Sequence, residues 1–252
     1  MLAKQLGADV DRFSHWLKTA KSIVFFGGAG VSTESGLPDF RGAKGIYQEN
    51  LQAESILTPR FLTRHPDVFW AFYRQYFMVE GILPNAAHLF LAHLEAVGVL
   101  KGIVTQNVDG LHQMAGSRRV IELHGSGRHF YCMSCGQPAP FEAIAVAENI
   151  PKCSCGGFLR PDIVLYEEPL KEDRIQAAIA LITDADLLIV GGTSLRVYPA
   201  AGLIQYRNNA RLVVINRDPT AIDDRADLCL QTSIAALFGN LHQQWQIKAG
   251  RV

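Results

Sequence analysis

The stretch that decides the fold is SIVFFGGAGVST, which occupies residues 22–33. Its first six residues form a short apolar run that stops at glycines. Three similar runs follow along the chain: GIVT at residues 102–105, LLIV at 187–190 and LVVI at 212–215. Each run is almost entirely apolar, which is the pattern of parallel strands that are buried on both faces. The four runs therefore predict one parallel sheet.

Helical patterns separate these runs. Residues 9–20 predict an amphipathic helix, and residues 86–97 and 171–183 predict two more. Strands that alternate with helices are typical of an α/β fold with a doubly wound, Rossmann-like parallel sheet.

Two segments interrupt the alternation. Residues 43–84 contain the aromatic-rich stretch PDVFWAFYRQYF and predict a helical insert, whereas residues 126–160 hold four cysteines and predict a small zinc-binding module. The Rossmann-like domain is then discontinuous, over residues 1–42, 85–125 and 161–252.

The composition describes a folded protein without an excess of either charge. Hydrophobic residues make up 48% of the 252 residues and charged residues 19%, with 24 Lys+Arg against 24 Asp+Glu. With no basic surplus, direct binding to nucleic acid phosphates is not expected. The sequence has no apolar run long enough to span a membrane and no apolar signal-peptide core, so we expect a cytoplasmic protein without a membrane partner.

Small or hydrogen-bonding residues follow each of the four runs. They read GAGVST at residues 28–33, QNVD at 106–109, GGTS at 191–194 and NRD at 216–218. Ligands of an open α/β sheet bind beyond the carboxyl ends of its strands, so this pattern predicts one polar, phosphate-bearing ligand at a shared edge. Taken alone, the glycine loop also fits an ordinary tight turn.

The glycine loop differs from that of a dehydrogenase. It reads G-x-G-x-x-T rather than G-x-G-x-x-G, and no acidic residue ends a second strand about 20 residues further on. Asn216 is the better candidate for binding a ribose. Hydride transfer by a dehydrogenase is therefore disfavoured.

The cysteines follow the pattern C-x2-C-x17-C-x-C at Cys132, Cys135, Cys153 and Cys155. Two closely spaced pairs can place four thiolates around one Zn²⁺, and a site filled by four cysteines has no open position, which indicates a structural ion. Free buried thiols or a redox pair are the alternatives. Cys229 lies far away in a strand-like run and is expected in the core.

Five ordered motifs resemble the sirtuin family, and in particular its bacterial members. They are GAGVSTESGLPDFRG at residues 28–42, TQNVDGLH at 105–112, ELHG at 122–125, RPDIVLYEE at 160–168 and GTSL at 192–195. Sirtuins are NAD-dependent protein lysine deacylases, so the resemblance implies NAD as co-substrate, one structural Zn²⁺ and acyl-lysine proteins or peptides as partners.

The resemblance assigns the catalytic roles to three residues. Asp109 would hold the nicotinamide amide, Asn107 would position the ribose and water, and His124 would be the base that activates a ribose hydroxyl. Histidine titrates near the working pH, which suits that role. Without its motif, a lone histidine reads as an ordinary core or surface side chain.

Further positions are implied to contact the cofactor. Asp39, Phe40 and Arg41 would belong to a segment that closes over NAD, where Phe40 shields the ribose and Arg41 meets a phosphate; a turn that Pro38 initiates is the plainer reading. The complete set implied to bind NAD is Gly28, Ala29, Gly30, Thr33, Asp39, Phe40, Arg41, Gln106, Asn107, Val108, Asp109, His124, Gly192, Thr193, Ser194, Asn216 and Ile234.

Substrate peptides bind sirtuins as an added strand between two segments of the enzyme. The matching segments here are Val164-Leu165-Tyr166 and Leu195-Arg196-Val197, in which Val164, Leu165, Tyr166, Leu195 and Val197 are implied to contact the peptide. The family usually has glycine where this chain has Glu167, so a positive φ at that position would strain the turn.

The helical insert bears on the acyl group. Relatives that remove succinyl or malonyl groups typically have Tyr-x-x-Arg there, whereas this chain has Tyr73 and Tyr76, with Arg74 expected to point elsewhere. This favours acetyl and other uncharged acyl groups. Two further functions stay open: a mono-ADP-ribosyltransferase that uses the same pocket, and a non-catalytic NAD-responsive binding module.

Overall fold

The computed structural model of the chain describes residues 2–42, 45–145, 147 and 149–249. Numbered in chain order, the strands of this part are β1 (Ile23–Gly27), β2 (Leu100–Thr105), β3 (Val120–Glu122), β4 (Gly125–Cys132), β5 (Pro138–Ala139), β6 (Leu159–Ile163), β7 (Leu187–Gly191), β8 (Arg211–Asn216) and β9 (Leu228–Gln231). The α-helices are α1 (Leu2–Thr19), α2 (Ile46–Glu49), α3 (Ala53–Ile56), α4 (Pro59–Arg64), α5 (Pro66–Phe77), α6 (Ala86–Ala96), α7 (Leu111–Met114), α8 (Phe141–Ala145), α9 (Glu172–Thr183) and α10 (Ile234–Ala249).

Six strands form one parallel sheet in the order β3-β2-β1-β7-β8-β9. The chain builds the sheet outward from β1 to β3 and resumes at β7 on the other side of β1. The strand order therefore reverses between β1 and β7, which is where such sheets bind ligands. The doubly wound α/β fold and its four predicted strands are confirmed.

The alternation of side chains along β1 explains why helices cover both faces of the sheet. Ile23 and Phe25 pack into one apolar cluster with helices α1, α6 and α10, whereas Val24 and Phe26 pack into a second cluster with α9. All five residues of β1 are buried. Side chains of this continuous apolar run thus pack into the apolar clusters on both faces of the sheet.

Sequence periodicity missed two features at the margins of this sheet. Strand β3 lies at one edge, where it is short and only partly buried, and it is not a continuous apolar run. Strand β9, at the other edge, contains the strand-like run around Cys229. Helix α1 begins at Leu2 rather than at residue 9. Gly7, a poor helix former, interrupts the amphipathic pattern there.

A second, antiparallel sheet has the order β5-β4-β6. Its residue Phe130 contacts Trp70 and Tyr73 of α5, with ring centroids 6.1 and 6.3 Å apart. Helices α2–α5 and this sheet thus share a third apolar cluster. The division into a discontinuous domain, a helical insert and a zinc-binding module stays a prediction, and its limits at residues 1, 43 and 252 lie outside the described residues.

No helix in the described part of the chain combines the length and apolar character needed to cross a membrane.

Candidate active site

A cavity of about 470 Å³ opens at the carboxyl edge of the parallel sheet. The register places Gly27 beside both Thr105 and Gly191, so the loops that follow β1, β2 and β7 leave the sheet at one level. Of the predicted cofactor and substrate residues, the cavity is lined by Gly28, Ala29, Gly30, Asp39, Phe40, Arg41, Gln106, Asn107, Val108, Asp109, His124, Val164, Leu165, Tyr166, Gly192, Thr193, Ser194, Val197 and Asn216.

Three predicted residues do not line this cavity. The Thr33 hydroxyl donates a hydrogen bond to the Gly30 carbonyl at 3.1 Å, within its own loop. Leu195 is only 4% exposed, and Ile234, the first residue of α10, packs in the core against the sheet. Motif membership did not distinguish residues that support the cavity wall from residues that form it.

The glycines of the loop after β1 pack closely against the loop after β7, so this contact requires glycine whether or not a ligand is bound. Gly30 N donates to Gly192 O at 2.8 Å, and a Cβ on Gly30 would lie 2.8 Å from both the Cα and the oxygen of Gly192. Such a distance is too short for non-bonded atoms, so any side chain would push the two loops apart. A Cβ on Gly28 would similarly meet the Thr193 Cβ at 2.8 Å.

A carboxylate network lies deeper in the cavity. The Asp109 carboxylate accepts hydrogen bonds from Ser32 Oγ at 2.7 Å, Asn107 Nδ2 at 3.1 Å and Leu111 N at 2.9 Å. Three donors on one carboxylate fix its orientation. Asn107 also donates to Ser32 Oγ at 3.1 Å, which closes the network.

Sequence reasoning missed two members of this network. Ser32 lies in the glycine loop but carried no assigned role, and His88 is a fully buried histidine of α6. His88 Nδ1 accepts a hydrogen bond from Asn85 N, which leaves its Nε2 facing Ser32 Oγ at 3.5 Å. Burial lowers the pKa of His88 to about 4, so this imidazole is neutral at physiological pH. No local pattern marks His88, since an isolated histidine in an apolar helix reads as core.

His124 has one ring nitrogen fixed by the backbone. Its Nδ1 lies 2.9 Å from the Gln106 carbonyl oxygen. A carbonyl can only accept, so Nδ1 carries the proton and Nε2 is left with a free lone pair. Burial lowers the pKa of His124 more than this hydrogen bond raises it, so the neutral base is the resting form.

The segment after the glycine loop packs over the cavity. The Phe40 ring contacts Tyr47 and Phe77, with centroids 5.6 and 6.2 Å away. The Arg41 guanidinium lies 5.1 Å above the Tyr47 ring and pairs with Glu54 at 3.6 Å. The predicted contact between Arg41 and a phosphate stays a prediction.

A carboxylate and an arginine hold the predicted substrate segment in place. Glu168 accepts two hydrogen bonds from Arg160, at 2.7 and 2.8 Å, and one from Leu165 N at 2.8 Å. Val164 N donates to His124 O at 2.8 Å, which ties the segment to the catalytic motif. On the second segment the cavity is also lined by Arg196, which the sequence analysis named as part of that segment, and by Tyr198, which it did not name.

Glu167 adopts φ +74, the left-handed region expected for the family's glycine. A side chain with a Cβ costs about 1–2 kcal/mol in this conformation. Part of that cost is recovered because a glycine would lose more chain entropy on folding.

We therefore expect Glu167→Gly to stabilise the protein by about 0.5–1 kcal/mol, because the strain disappears and the hydrogen bonds of Glu168 remain. Urea unfolding measures this change. Glu167→Ala is the matched control, since it keeps the Cβ and should give no gain. A Glu167→Gly protein less stable than the Ala variant would contradict the strain.

The helical insert presents a tyrosine to the cavity rather than an arginine. Tyr76 lines it, whereas Tyr73 is fully buried and its hydroxyl donates to Gly127 O at 3.4 Å. Arg74 donates to Ala147 O at 2.7 Å and to Asn149 O at 2.8 Å. The prediction that Arg74 points elsewhere is confirmed.

The four clustered cysteines form a site of the size that zinc needs. Their sulfur atoms lie within 4.8 Å of one another, with Cys132 and Cys155 3.5 Å apart and Cys135 and Cys153 3.7 Å apart. Zn–S bonds of about 2.3 Å in a tetrahedron require about 3.8 Å between sulfurs. Four thiolates at this spacing fit one structural Zn²⁺.

Serine at Cys132, Cys135, Cys153 or Cys155 should lower the free energy of unfolding by at least about 2 kcal/mol and release about one zinc per chain, because structural zinc contributes to folding. Elemental analysis and thermal unfolding measure both effects. Cys229 is half-buried beside the second apolar cluster, and Cys229→Ser is the control that should keep the metal. Purified wild type without zinc would contradict the site.

Fold and site together define an α/β protein that holds a polar ligand at the switch point of a parallel sheet, beside a neutral histidine. The model of the Sir2 family matches residues 28–199, and the chain belongs to this family. An NAD-dependent protein deacetylase of Cutibacterium acnes is 50% identical over 89% of this chain and 93% of its own length. The NAD-dependent protein deacetylase of Clostridium acetobutylicum is 51% identical over 87% and 92%.

Solved structures of the family show the same fold. A complex of Sir2, p53 peptide and NAD+ is 36% identical, with a TM-score of 0.84 over 94% of this chain and 99% of that one. A Sir2 variant with deacetylated p53 peptide and 3'-O-acetyl ADP-ribose is 37% identical, with a TM-score of 0.86 over 93% and 98%.

Proposed function

We propose that this protein is an NAD-dependent protein lysine deacetylase, which converts acetyl-lysine, NAD and water to lysine, nicotinamide and 2'-O-acetyl-ADP-ribose. The observation that carries the proposal is His124, a neutral imidazole in the cavity wall whose free Nε2 is set by the Gln106 carbonyl. The names of the relatives and the acetyl-ADP-ribose in the related complex agree with it.

NAD, when bound, supplies a nicotinamide–ribose bond that breaks and a ribose hydroxyl that receives the acyl group. Asp109 and Asn107, oriented by Ser32, hold the nicotinamide end, because a carboxylate and an amide fixed in this way match an amide ligand without reorganising. His124 accepts the proton of the ribose hydroxyl at Nε2. Phe40 and its aromatic neighbours keep water from the reacting face.

Acetyl-lysine peptides are the proposed partners. Val164, Leu165 and Tyr166 form one side of the peptide groove, and Val197 the other, with Leu195 supporting it from the core. Cysteines that bind zinc instead of pairing in disulfides are typical of a reducing compartment, which supports a cytoplasmic location.

Two alternatives are less well supported. A mono-ADP-ribosyltransferase would use the same NAD pocket but has no need of a base for a ribose hydroxyl. A non-catalytic NAD-responsive module would not need the base His124, which lines the cavity.

Replacing His124 with alanine should abolish deacetylation, by at least about 10³-fold in kcat, because no base remains for the ribose hydroxyl. Mass spectrometry of an acetyl-lysine peptide incubated with NAD measures deacetylated peptide and acetyl-ADP-ribose. His15→Ala on the exposed face of α1 is the control. Wild-type turnover in the His124 variant would refute the assignment, and transfer of ADP-ribose to protein would favour the transferase.

The pH profile adds a second readout. The base must be neutral to accept a proton, and burial lowers its pKa, so activity should fall only as the pH drops below the usual histidine value of 6.5. An acid limb centred above pH 6.5 would show that another group titrates.

The acyl group should be uncharged. A succinyl carboxylate buried in the channel would need a cation, and Tyr76 stands where an arginine would meet it. We expect kcat/KM for an acetyl-lysine peptide to exceed that for its succinyl counterpart by at least about tenfold, or about 1.4 kcal/mol. Tyr76→Arg should narrow the gap.

Arg74→Ala is the matched control, because the guanidinium of Arg74 is bonded to two backbone carbonyls. It should not alter the ratio between the two peptides. Equal efficiency on both peptides, with succinyl turnover lost in Arg74→Ala, would show that Arg74 reaches the channel.

A further inference from the structure

Two neighbouring carboxylates lie near the cavity rim, and only one of them is neutralised by other residues of the described chain. Glu168 is bound by Arg160 and by Leu165 N, so its charge is neutralised within the turn. The neighbouring Glu167 is exposed and lines the cavity. In the described part of the chain, no ion pair or hydrogen bond engages the Glu167 carboxylate.

The backbone around Glu167 is open to an added strand. The amides of Val164 and Tyr166 donate to His124 O and Leu57 O, which fixes the segment. Among the described residues, however, the Glu167 amide makes no backbone hydrogen bond. A peptide whose carbonyl accepts from this amide places residues next to its acyl-lysine near the Glu167 side chain, since neighbouring strands hold their side chains about 5 Å apart.

We propose that Glu167 selects acyl-lysine sites with a basic neighbouring residue, an inference that rests on the deacetylase function proposed above. The protein's overall charge cannot produce this preference, because Lys+Arg and Asp+Glu both number 24. The preference is local to the peptide position that faces Glu167.

Arg196 provides a contrast within the same cavity. It is exposed and lines the cavity from the second peptide segment, and no ion pair engages it in the part of the chain that the structure describes. Its charge favours an acidic residue, at whichever peptide position faces that segment. Basic and acidic preferences therefore belong to different peptide positions and can be separated by substitution.

The effect is modest, because an exposed ion pair is weakened by solvent. We expect kcat/KM to be about fivefold higher with lysine than with glutamate at the position facing Glu167, at low ionic strength. The difference lies in KM, since the contact is equally present in the ground state and the transition state. High salt screens it.

The experiment uses acetyl-lysine peptides that carry lysine, alanine or glutamate at each of two positions on either side. Glu167→Gln removes the charge and keeps the side-chain length, and it should bring the lysine-to-glutamate ratio at one position to about one. Glu80→Gln removes the same charge from an exposed residue outside the cavity and should keep the ratio. Arg196→Gln should keep the lysine preference at the position that Glu167 governs.

Each outcome bears on the inference. A ratio unchanged in Glu167→Gln, or lost equally in Glu80→Gln, would overturn the role of Glu167. Wild type that deacetylates the alanine peptides without any charge preference would overturn it and leave the deacetylase function standing. Wild type that deacetylates no peptide would overturn both. If the Glu167→Gln protein does not fold, Glu167→Gly, which also removes the charge, is measured on the same peptides instead.

Discussion

The backbone contact between Gly30 and Gly192 is the constraint on which the site depends. The hydrogen bond from Gly30 N to Gly192 O joins the loops that follow β1 and β7, at the point where the strand order reverses. No Cβ fits between the two loops. Because the strands are in register at Gly27 and Gly191, the two loops leave the sheet side by side, and their contact is short only if Gly30 and Gly192 lack side chains. The cavity of about 470 Å³ opens beside them.

Hydrogen bonds between loops connect this contact to His124 and Asp109. Gln106 Nε2 donates to Thr193 Oγ1 at 3.0 Å, which joins the β2 loop to the β7 loop, while the Gln106 carbonyl fixes the His124 tautomer. Gln106 thus contacts both the loop after β7 and the imidazole of His124. On the other side, Ser32 connects the glycine loop to Asp109. The base and the carboxylate are therefore positioned by groups that also hold the loops together.

The sequence predicted the sheet and most of the cavity wall because both depend on local patterns. Buried parallel strands are continuous apolar runs, and the residues just after them lie at the ligand edge whatever the details of packing. The edge strand β3 lacks such a run, because one of its sides is not covered by a neighbouring strand. His88 and Ser32 were missed for a different reason. The contact between them joins residues that are 56 positions apart, and no spacing rule reveals such a contact.

The zinc site and the cavity share a core, although they are far apart in sequence. Cys132 belongs to the same apolar cluster as Ile46, Leu57 and Leu165, and all three of these residues also line the cavity. Trp70 and Phe130 join the helical segment to the antiparallel sheet within this cluster. Such packed interiors transmit changes in volume rather than absorbing them. A structural ion bound by Cys132 at the end of β4 would therefore also fix the part of the cavity wall that Ile46, Leu57 and Leu165 form, without touching it.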